Sequence, residues 1–319
     1  MKKNIIHSII FTLVFLLLYL GLTYILAPKN NLFDYNIFTL AEHELLSEEK
    51  DTIDIIFLGD SLTYSGISPM DLWNEYGYTS YDFAYPAQKI SVAYEELQLA
   101  IDAQHPKVVM MEANVLMRDS TKAPLGYSIS KWKNGLFPLQ TYHNNWKKIL
   151  FPTIKDSLTY KWVNPTKGFK YVPSISSGDP GNYMSDKDKV ETKIPNDNFD
   201  YLEKIVNLCR ENDIEFILIS TPNGKSWSFG KYLSASKSAK KLEIPYIDLN
   251  VGNPLLINWK TETKDNANHL NYAGSLKVTR YIGNYLKDND LVEDHRDDSK
   301  YDKWHTAYEI FEKEIKEYE

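Results

Sequence analysis

The sequence predicts an α/β protein: a mostly parallel sheet with helices on both faces, preceded by one apolar N-terminal helix. Short apolar, β-branched runs recur at Ile53–Leu58, Val108–Met111 and Ile214–Ser220, with a briefer one at Tyr246–Leu249, as strands do. Segments of helical periodicity lie between or after them, at Ser91–Gln104, Phe199–Asn212 and Ala273–Leu286, so strand and helix alternate. The runs are apolar throughout rather than every second residue, which fits strands covered on both sides.

The chain opens with Lys2 and Lys3 ahead of an apolar stretch from Ile5 to about Ala27. About 20 apolar residues cross a bilayer, whereas a cleaved leader has an apolar core of roughly 7–15. Cleavage after Ala27 has poor chemistry, because Pro28 follows it and Ile25 stands where a small residue belongs. The reading is an uncleaved single-pass anchor over residues 1–27, lysines inside and the rest outside. A cleaved signal peptide is the alternative, and either way the remaining chain works outside the cytoplasm.

Residues 28–50 are a polar connector with a short amphipathic piece near Ile37–Leu46. Residues 51–287 form the globular domain, and 288–319 a charged helical tail with a solvated face. Ser91 and the Asn198/Asp200 neighbourhood supply cap chemistry for the first two helices. Between Arg118 and Asp197 the alternation lapses into a stretch with 13 Lys or Arg against 7 Asp or Glu. A loop this long is functional or a plain solvated cover. Trp132, Trp146, Trp162 and Tyr171 would be its stacking groups for sugar rings.

Composition narrows the class. The 319 residues are 43% hydrophobic and 25% charged, with net charge −7, so bulk nucleic-acid binding is disfavoured. Cys209 is the only cysteine, which excludes an internal disulfide and reads as a buried thiol. There are no repeats, low-complexity tracts or Gly-rich phosphate loop. His105, His143, His269 and His295 lack metal-ligand spacing, and no cofactor is expected.

The first apolar run stops in Gly59-Asp60-Ser61-Leu62. A small hydroxyl there lies at a strand's C-terminal edge, where open α/β sheets gather ligands. It becomes a nucleophile if a histidine takes its proton. His269 is the candidate, in Asn268-His269-Leu270-Asn271-Tyr272-Ala273-Gly274 at the opening of an amphipathic helix.

Together these blocks resemble the first and last motifs of the SGNH (GDSL-type) hydrolases, over roughly residues 51–286. The resemblance implies a flavodoxin-like three-layer α/β/α sandwich. It also implies a catalytic Ser61 and His269, an oxyanion hole at Ala87 and Asn114, and no metal. Asn114 closes Val108-Val109-Met110-Met111-Glu112-Ala113-Asn114, with Glu112 where the family usually has glycine. Ala87, in Tyr81-Asp82-Phe83-Ala84-Tyr85-Pro86-Ala87-Gln88, replaces the family's oxyanion glycine; it keeps the backbone N–H but lacks glycine's freedom at positive φ. The family's aspartate falls three residues before the histidine, where this chain has Asn266. Either Asp265, four before, meets the imidazole, or Asn266 orients it as a neutral group.

The layout is further similar to membrane-anchored SGNH proteins that partner a membrane-bound O-acyltransferase in polysaccharide modification. Tyr142-His143-Asn144-Asn145-Trp146 and Thr221-Pro222 suit that subgroup, with His143 and Trp146 as candidate groove residues. The resemblance implies serine-dependent O-acyl transfer to, or ester hydrolysis on, an extracellular envelope polysaccharide. A weakly active or non-catalytic glycan-binding subunit of such a complex is the alternative.

Overall fold

The computed structural model describes residues 2–27, 29, 37–118, 139, 146–149, 164–185 and 190–318. The chain divides into two compact units, Met1–Leu40 with Leu125–Val163, and Ala41–Pro124 with Asn164–Glu319. The smaller unit holds α1 (Lys2–Leu26). From Lys3 this helix has 24 residues, with an 18-residue stretch of mean hydropathy 2.5, and a length of about 36 Å at 1.5 Å per residue. It is long and apolar enough to cross a membrane. Next comes α2 (Ile37–Ser47), whose Leu45 is fully buried in the larger unit.

The larger unit continues with β1 (Ile55–Gly59), α3 (Thr63–Gly66), α4 (Pro69–Tyr76), β2 (Ser80–Ala84), α5 (Ile90–Gln104) and β3 (Val108–Glu112). A short helix, α6 (Trp146–Ile149), belongs to the smaller unit. Then follow α7 (Asn196–Glu211), β4 (Glu215–Ser220), α8 (Phe229–Leu242), β5 (Tyr246–Asp248), α9 (Tyr272–Asp288) and α10 (Asp302–Tyr318). The five strands are parallel in the order β2-β1-β3-β4-β5, the flavodoxin-like order.

Register explains the continuous apolar runs. Ile56, Leu58, Val109, Met111, Phe216 and Leu218 pack towards α5, α7 and α8. Ile55, Phe57, Val108, Met110, Ile217 and Ile219 pack towards α4 and α9. Both faces of these three strands are buried, so three layers form and their central residues are apolar on both sides. The α/β class predicted from the sequence is the one observed.

Several local expectations need correction. Helix α5 opens at Ile90 after Lys89 without a side-chain cap, and the buried Ser91 hydroxyl has no partner among the described residues. Helix α7 begins after Pro195; Asn198 instead donates to the carbonyls of Leu116 (2.8 Å) and Arg118 (2.5 Å), satisfying the turn that follows β3. Strand β2 and helices α4 and α8 have no counterpart in the sequence-based elements. In β2, Ser80 and Asp82 interrupt the apolar run although all five residues are buried. The Asp82 carboxyl oxygens have no hydrogen-bond partner among the described residues, and burial pushes this carboxyl well above the ordinary range.

The tail is only half solvated. Trp304 and Phe311 of α10 are buried, with Phe311 against the rings of Phe169, Tyr171 and Tyr272. Tyr171 is therefore a packing residue and not a free stacking surface. Residues 164–180 run back along the larger unit. Lys167 accepts the Asp82 N–H (2.9 Å), and Ser176 and Gly178 donate to the carbonyls of Thr263 and Trp259 (both 2.8 Å). Gly168 makes the first approach possible, since a Cβ there would stand 2.3 Å from the Asp82 carbonyl oxygen. Cys209 is buried in α7, which pushes its thiol up to about 12.

Candidate active site

Strand β1 ends on Gly59, and Asp60-Ser61-Leu62 turn directly into α3. The turn is tight. A Cβ at Gly59 would stand 2.1 Å from Thr63 Oγ1 and 2.7 Å from the Glu112 Cβ, so a larger residue has no room. Asp60 is fully buried and anchors the turn. Its Oδ1 accepts the Leu62 N–H (3.0 Å); its Oδ2 accepts from Asn114 Nδ2 (2.9 Å) and from Arg118 Nε (3.1 Å) and Nη2 (2.6 Å). Ser61 is left half-buried at the C-terminal edge of β1, beside β3. That is where this strand order reverses and clefts form.

The histidine arrives from a loop closed by an antiparallel bridge between Thr263 and Leu270. Asn271 then caps α9, accepting the Gly274 N–H at 3.2 Å. Within the loop, Asn266 and Ala267 both take left-handed conformations, with φ of 56° and 65°. Two such residues in succession turn the chain back on itself and bring Asp265 against His269. Asp265 Oδ1 accepts the His269 backbone N–H (2.6 Å), and Oδ2 lies 2.5 Å from His269 Nδ1. On the other side of the ring, Nε2 is 2.8 Å from Ser61 Oγ.

The tautomer follows from these contacts. Asn268 Nδ2 lies 3.1 Å from the same Nδ1, a bond that forms only if Nδ1 is an acceptor. The Asp265 carboxylate is closer and charged, so it selects Nδ1–H and frees the Nε2 lone pair for the Ser61 proton. Of the two orienters left open by the sequence, Asp265 makes the contact. Asn266 lines a neighbouring pocket with Trp259.

Further bonds brace the loop. Lys264 Nζ donates to Ser65 Oγ in α3 at 2.8 Å. Burial, with Lys170 adding like charge, pulls the Lys264 amine down to about 8. Asn223 Nδ2 donates to the Asn268 carbonyl (2.5 Å) and Ser226 Oγ to Asn268 Oδ1 (2.9 Å). The Tyr64 hydroxyl interacts with Ser61, and burial raises its pKa.

Asn114 is buried just past β3, with Nδ2 on Asp60 and Oδ1 facing Lys231 Nζ at 3.3 Å. One amide hydrogen is thereby committed to Asp60, and the second has no partner among the described residues. Ala87 is exposed in the turn after β2, whose last residue Ala84 pairs with Gly59. Its φ is 55°. The alanine thus adopts the left-handed backbone expected only of glycine, a correction to the sequence-based reading. His143 lies outside the described residues. Trp146 sits in α6 of the smaller unit.

The sequence reading assigned no role to Arg118, Lys231, Lys264 or Tyr64. Their roles depend on contacts between distant segments, and no local pattern marks them. Glu112, noted as a departure from the family's glycine, has a clear task. Its Oε2 accepts from the Thr221 N–H (3.0 Å) and hydroxyl (2.7 Å), and its Oε1 from the Asn114 N–H (3.2 Å). It therefore ties the ends of β3 and β4 together. Burial, and then the nearby Asp60 charge, push its carboxyl up to about 8.

That shift has a sign. In the unfolded chain the carboxyl ionises near 4.5; in the folded chain it keeps its proton until about 8. Folding therefore takes up a proton across that window, and this group's contribution to stability is lost as pH rises from 4.5 to 8. In Glu112→Gln the slope should shrink, so that thermal unfolding midpoints of parent and variant drift apart from pH 5 to 8. Parallel curves would remove Glu112 as the source.

The sequence matches no protein-family profile and no curated protein. Among solved structures it is similar to a candidate acylhydrolase from Bacteroides fragilis (13% identity, 81% of this chain and 100% of that one, TM-score 0.41). It is also similar to a GDSL-like lipase from Bacteroides thetaiotaomicron (11%, 79% and 98%, TM-score 0.42). A third is a catalytic mutant of an acetylxylan esterase from Geobacillus stearothermophilus (11%, 75% and 94%, TM-score 0.38). At such distances the chemistry has to be read from this chain's own atoms.

Proposed function

We propose that the chain is a serine-dependent acyl-transfer enzyme of the cell envelope, moving or removing a small O-acyl group, with acetyl the natural choice, on an extracellular polysaccharide. The observation that carries this is the continuous path Ser61 Oγ–His269 Nε2 (2.8 Å) and His269 Nδ1–Asp265 Oδ2 (2.5 Å), the arrangement that acyl transfer through serine requires.

His269 takes the Ser61 proton as Oγ attacks the ester carbonyl. The Ser61 and Ala87 N–H groups and the free hydrogen of Asn114 Nδ2 hold the oxyanion. His269 then returns the proton to the departing group, the sugar oxygen in ester removal or the donor's leaving atom in transfer, leaving acyl-Ser61. Water or a second sugar hydroxyl completes the reaction in the reverse sense. No step calls for a metal.

Two features support the envelope setting. Helix α1, flanked by Lys2 and Lys3, serves as the anchor, with the rest of the chain outside the cytoplasm. A membrane-bound O-acyltransferase is the acyl donor that suits such an anchored enzyme. Beside the His269 loop is a pocket of about 670 Å³ lined by Trp259, Asn258, Asn266, Asp179 and Lys260. An aromatic ring with amides and charges around it suits a sugar, which offers an apolar face and a polar rim. The pocket is a further candidate for glycan binding, besides His143 and Trp146.

The non-catalytic alternative drew on Asn266 in the aspartate's place and Ala87 in the glycine's. Asp265 reaches the imidazole and Ala87 has the left-handed φ, so neither residue now motivates it. The test is mass spectrometry of the Ser61 peptide after brief incubation with p-nitrophenyl acetate and an acid quench. An acetyl adduct on Ser61, absent in His269→Ala, is expected. An adduct elsewhere, or none during measurable turnover, refutes the mechanism.

A further inference from the structure

On the Asn114 side of the site is an open pocket of about 430 Å³, with Asn114, Arg118, Lys225, Ser226, Trp227 and Lys231 in its wall. Among the described residues that line it, three are cations and none is a carboxylate. Arg118 is already neutralised by Asp60 at 2.6 Å. The two lysines have only neutral partners among the described residues. Lys231 Nζ donates to Asn114 Oδ1 (3.3 Å) and to the Ser226 carbonyl, and Lys225 Nζ to the Asp179 carbonyl (2.9 Å).

The charge is held against resistance. Lys231 is half-buried, and its ammonium pKa is lowered by that burial and next by the Arg118 charge. An anion in the pocket would offset both effects by favouring the charged ammonium. Helix α8 adds to the field, because its N-cap Ser228 also lines the pocket and its first turn presents the positive end of the helix dipole. Buried Asp60 lies behind Arg118, so the balance facing the pocket is about two positive charges.

We propose that this pocket binds an anionic group of the substrate, a carboxylate or a phosphate, beside the acyl ester presented to Ser61. The substrate class is thereby an acylated anionic glycan. Ammonium groups act as point charges and accept either anion geometry. The proposal rests on the reading of Ser61 as the nucleophile, and the test separates the two.

Rates are measured on the full-length chain in detergent with three matched acetyl esters: a neutral methyl glucoside, the corresponding glucuronoside and a glucose phosphate. The expected kcat/KM ratio of at least one charged ester over the neutral one is about tenfold or more, as one charge-assisted hydrogen bond supplies. The ratio should fall towards one in Lys225→Gln and in Lys225→Gln/Lys231→Gln, and should decline as salt rises. Which charged ester is preferred identifies carboxylate or phosphate. A parent ratio of one or less, or a ratio unmoved by either variant, overturns the pocket while leaving the nucleophile standing. Calorimetric binding of glucuronate or inorganic phosphate to Ser61→Ala, lost in the added lysine variants, supports the pocket even if Ser61-dependent turnover is never seen.

Discussion

Ser61→Ala and His269→Ala should each lower kcat for p-nitrophenyl acetate by about 10⁶, and the double variant should be no worse than either alone. The size follows from the 2.8 Å contact between Nε2 and Oγ. Without the hydroxyl nothing forms the acyl intermediate; without the imidazole the hydroxyl keeps its proton. What survives is the roughly 10³–10⁴ over water contributed by the oxyanion donors and by binding. The non-additivity is the more searching half of the prediction. Effects that multiplied in the double variant would show two independent contributions, and the contact would not be the working unit. Neither change should disturb folding greatly, because Ser61 is only half-buried and the His269 loop is braced by Lys264, Asn223 and Ser226. Unfolding midpoints of the variants serve as the control. Unchanged turnover in Ser61→Ala would end the serine-enzyme reading.

The parts visible in the sequence share a physical cause. Strands β1, β3 and β4 are buried on both faces, so their sequences are unbroken apolar runs, and Gly59-Asp60-Ser61 follows the first of them. Strand β2 is equally buried, yet Ser80 and Asp82 sit inside it, and a pattern based on polarity cannot reveal it. Helix α8 escaped because its core face is made of small residues such as Ala235 and Ala239. The site divides the same way. Ser61 and His269 belong to local motifs; the identity of the orienter depends on backbone torsions at Asn266 and Ala267 that no glycine announces. Ala87 repeats the lesson, since its φ of 55° belongs to the fold around it and not to the residue type. The cations beside Asn114 are invisible for another reason: Arg118 and Lys231 are 113 residues apart and meet only through β3 and α8.

The orienter supplies the second large effect. Asp265→Asn should lower kcat by about 10³. An enclosed aspartate in this role accounts for about 10⁴, chiefly by holding the correct imidazole tautomer. Asp265 has a side chain 42% exposed, so water can take over part of its bond to Nδ1 and the loss is smaller. The decisive comparison moves the carboxylate rather than deleting it. In Asp265→Asn/Asn266→Asp the charge returns one residue later, at the position where the resembled family has its aspartate. It should fail to restore activity, staying within about tenfold of Asp265→Asn, because residue 266 lies in the left-handed stretch and its side chain lines the Trp259 pocket. The pH profile provides the independent readout. A carboxylate that stabilises the imidazolium keeps the base usable, so its loss shifts the rising limb of kcat/KM, whereas a merely structural defect scales the curve without moving it. Recovery of parent-like activity in the double variant would mean that the loop can present either residue to His269. The two consecutive left-handed torsions would then no longer explain why Asp265, four residues before the histidine, does the work.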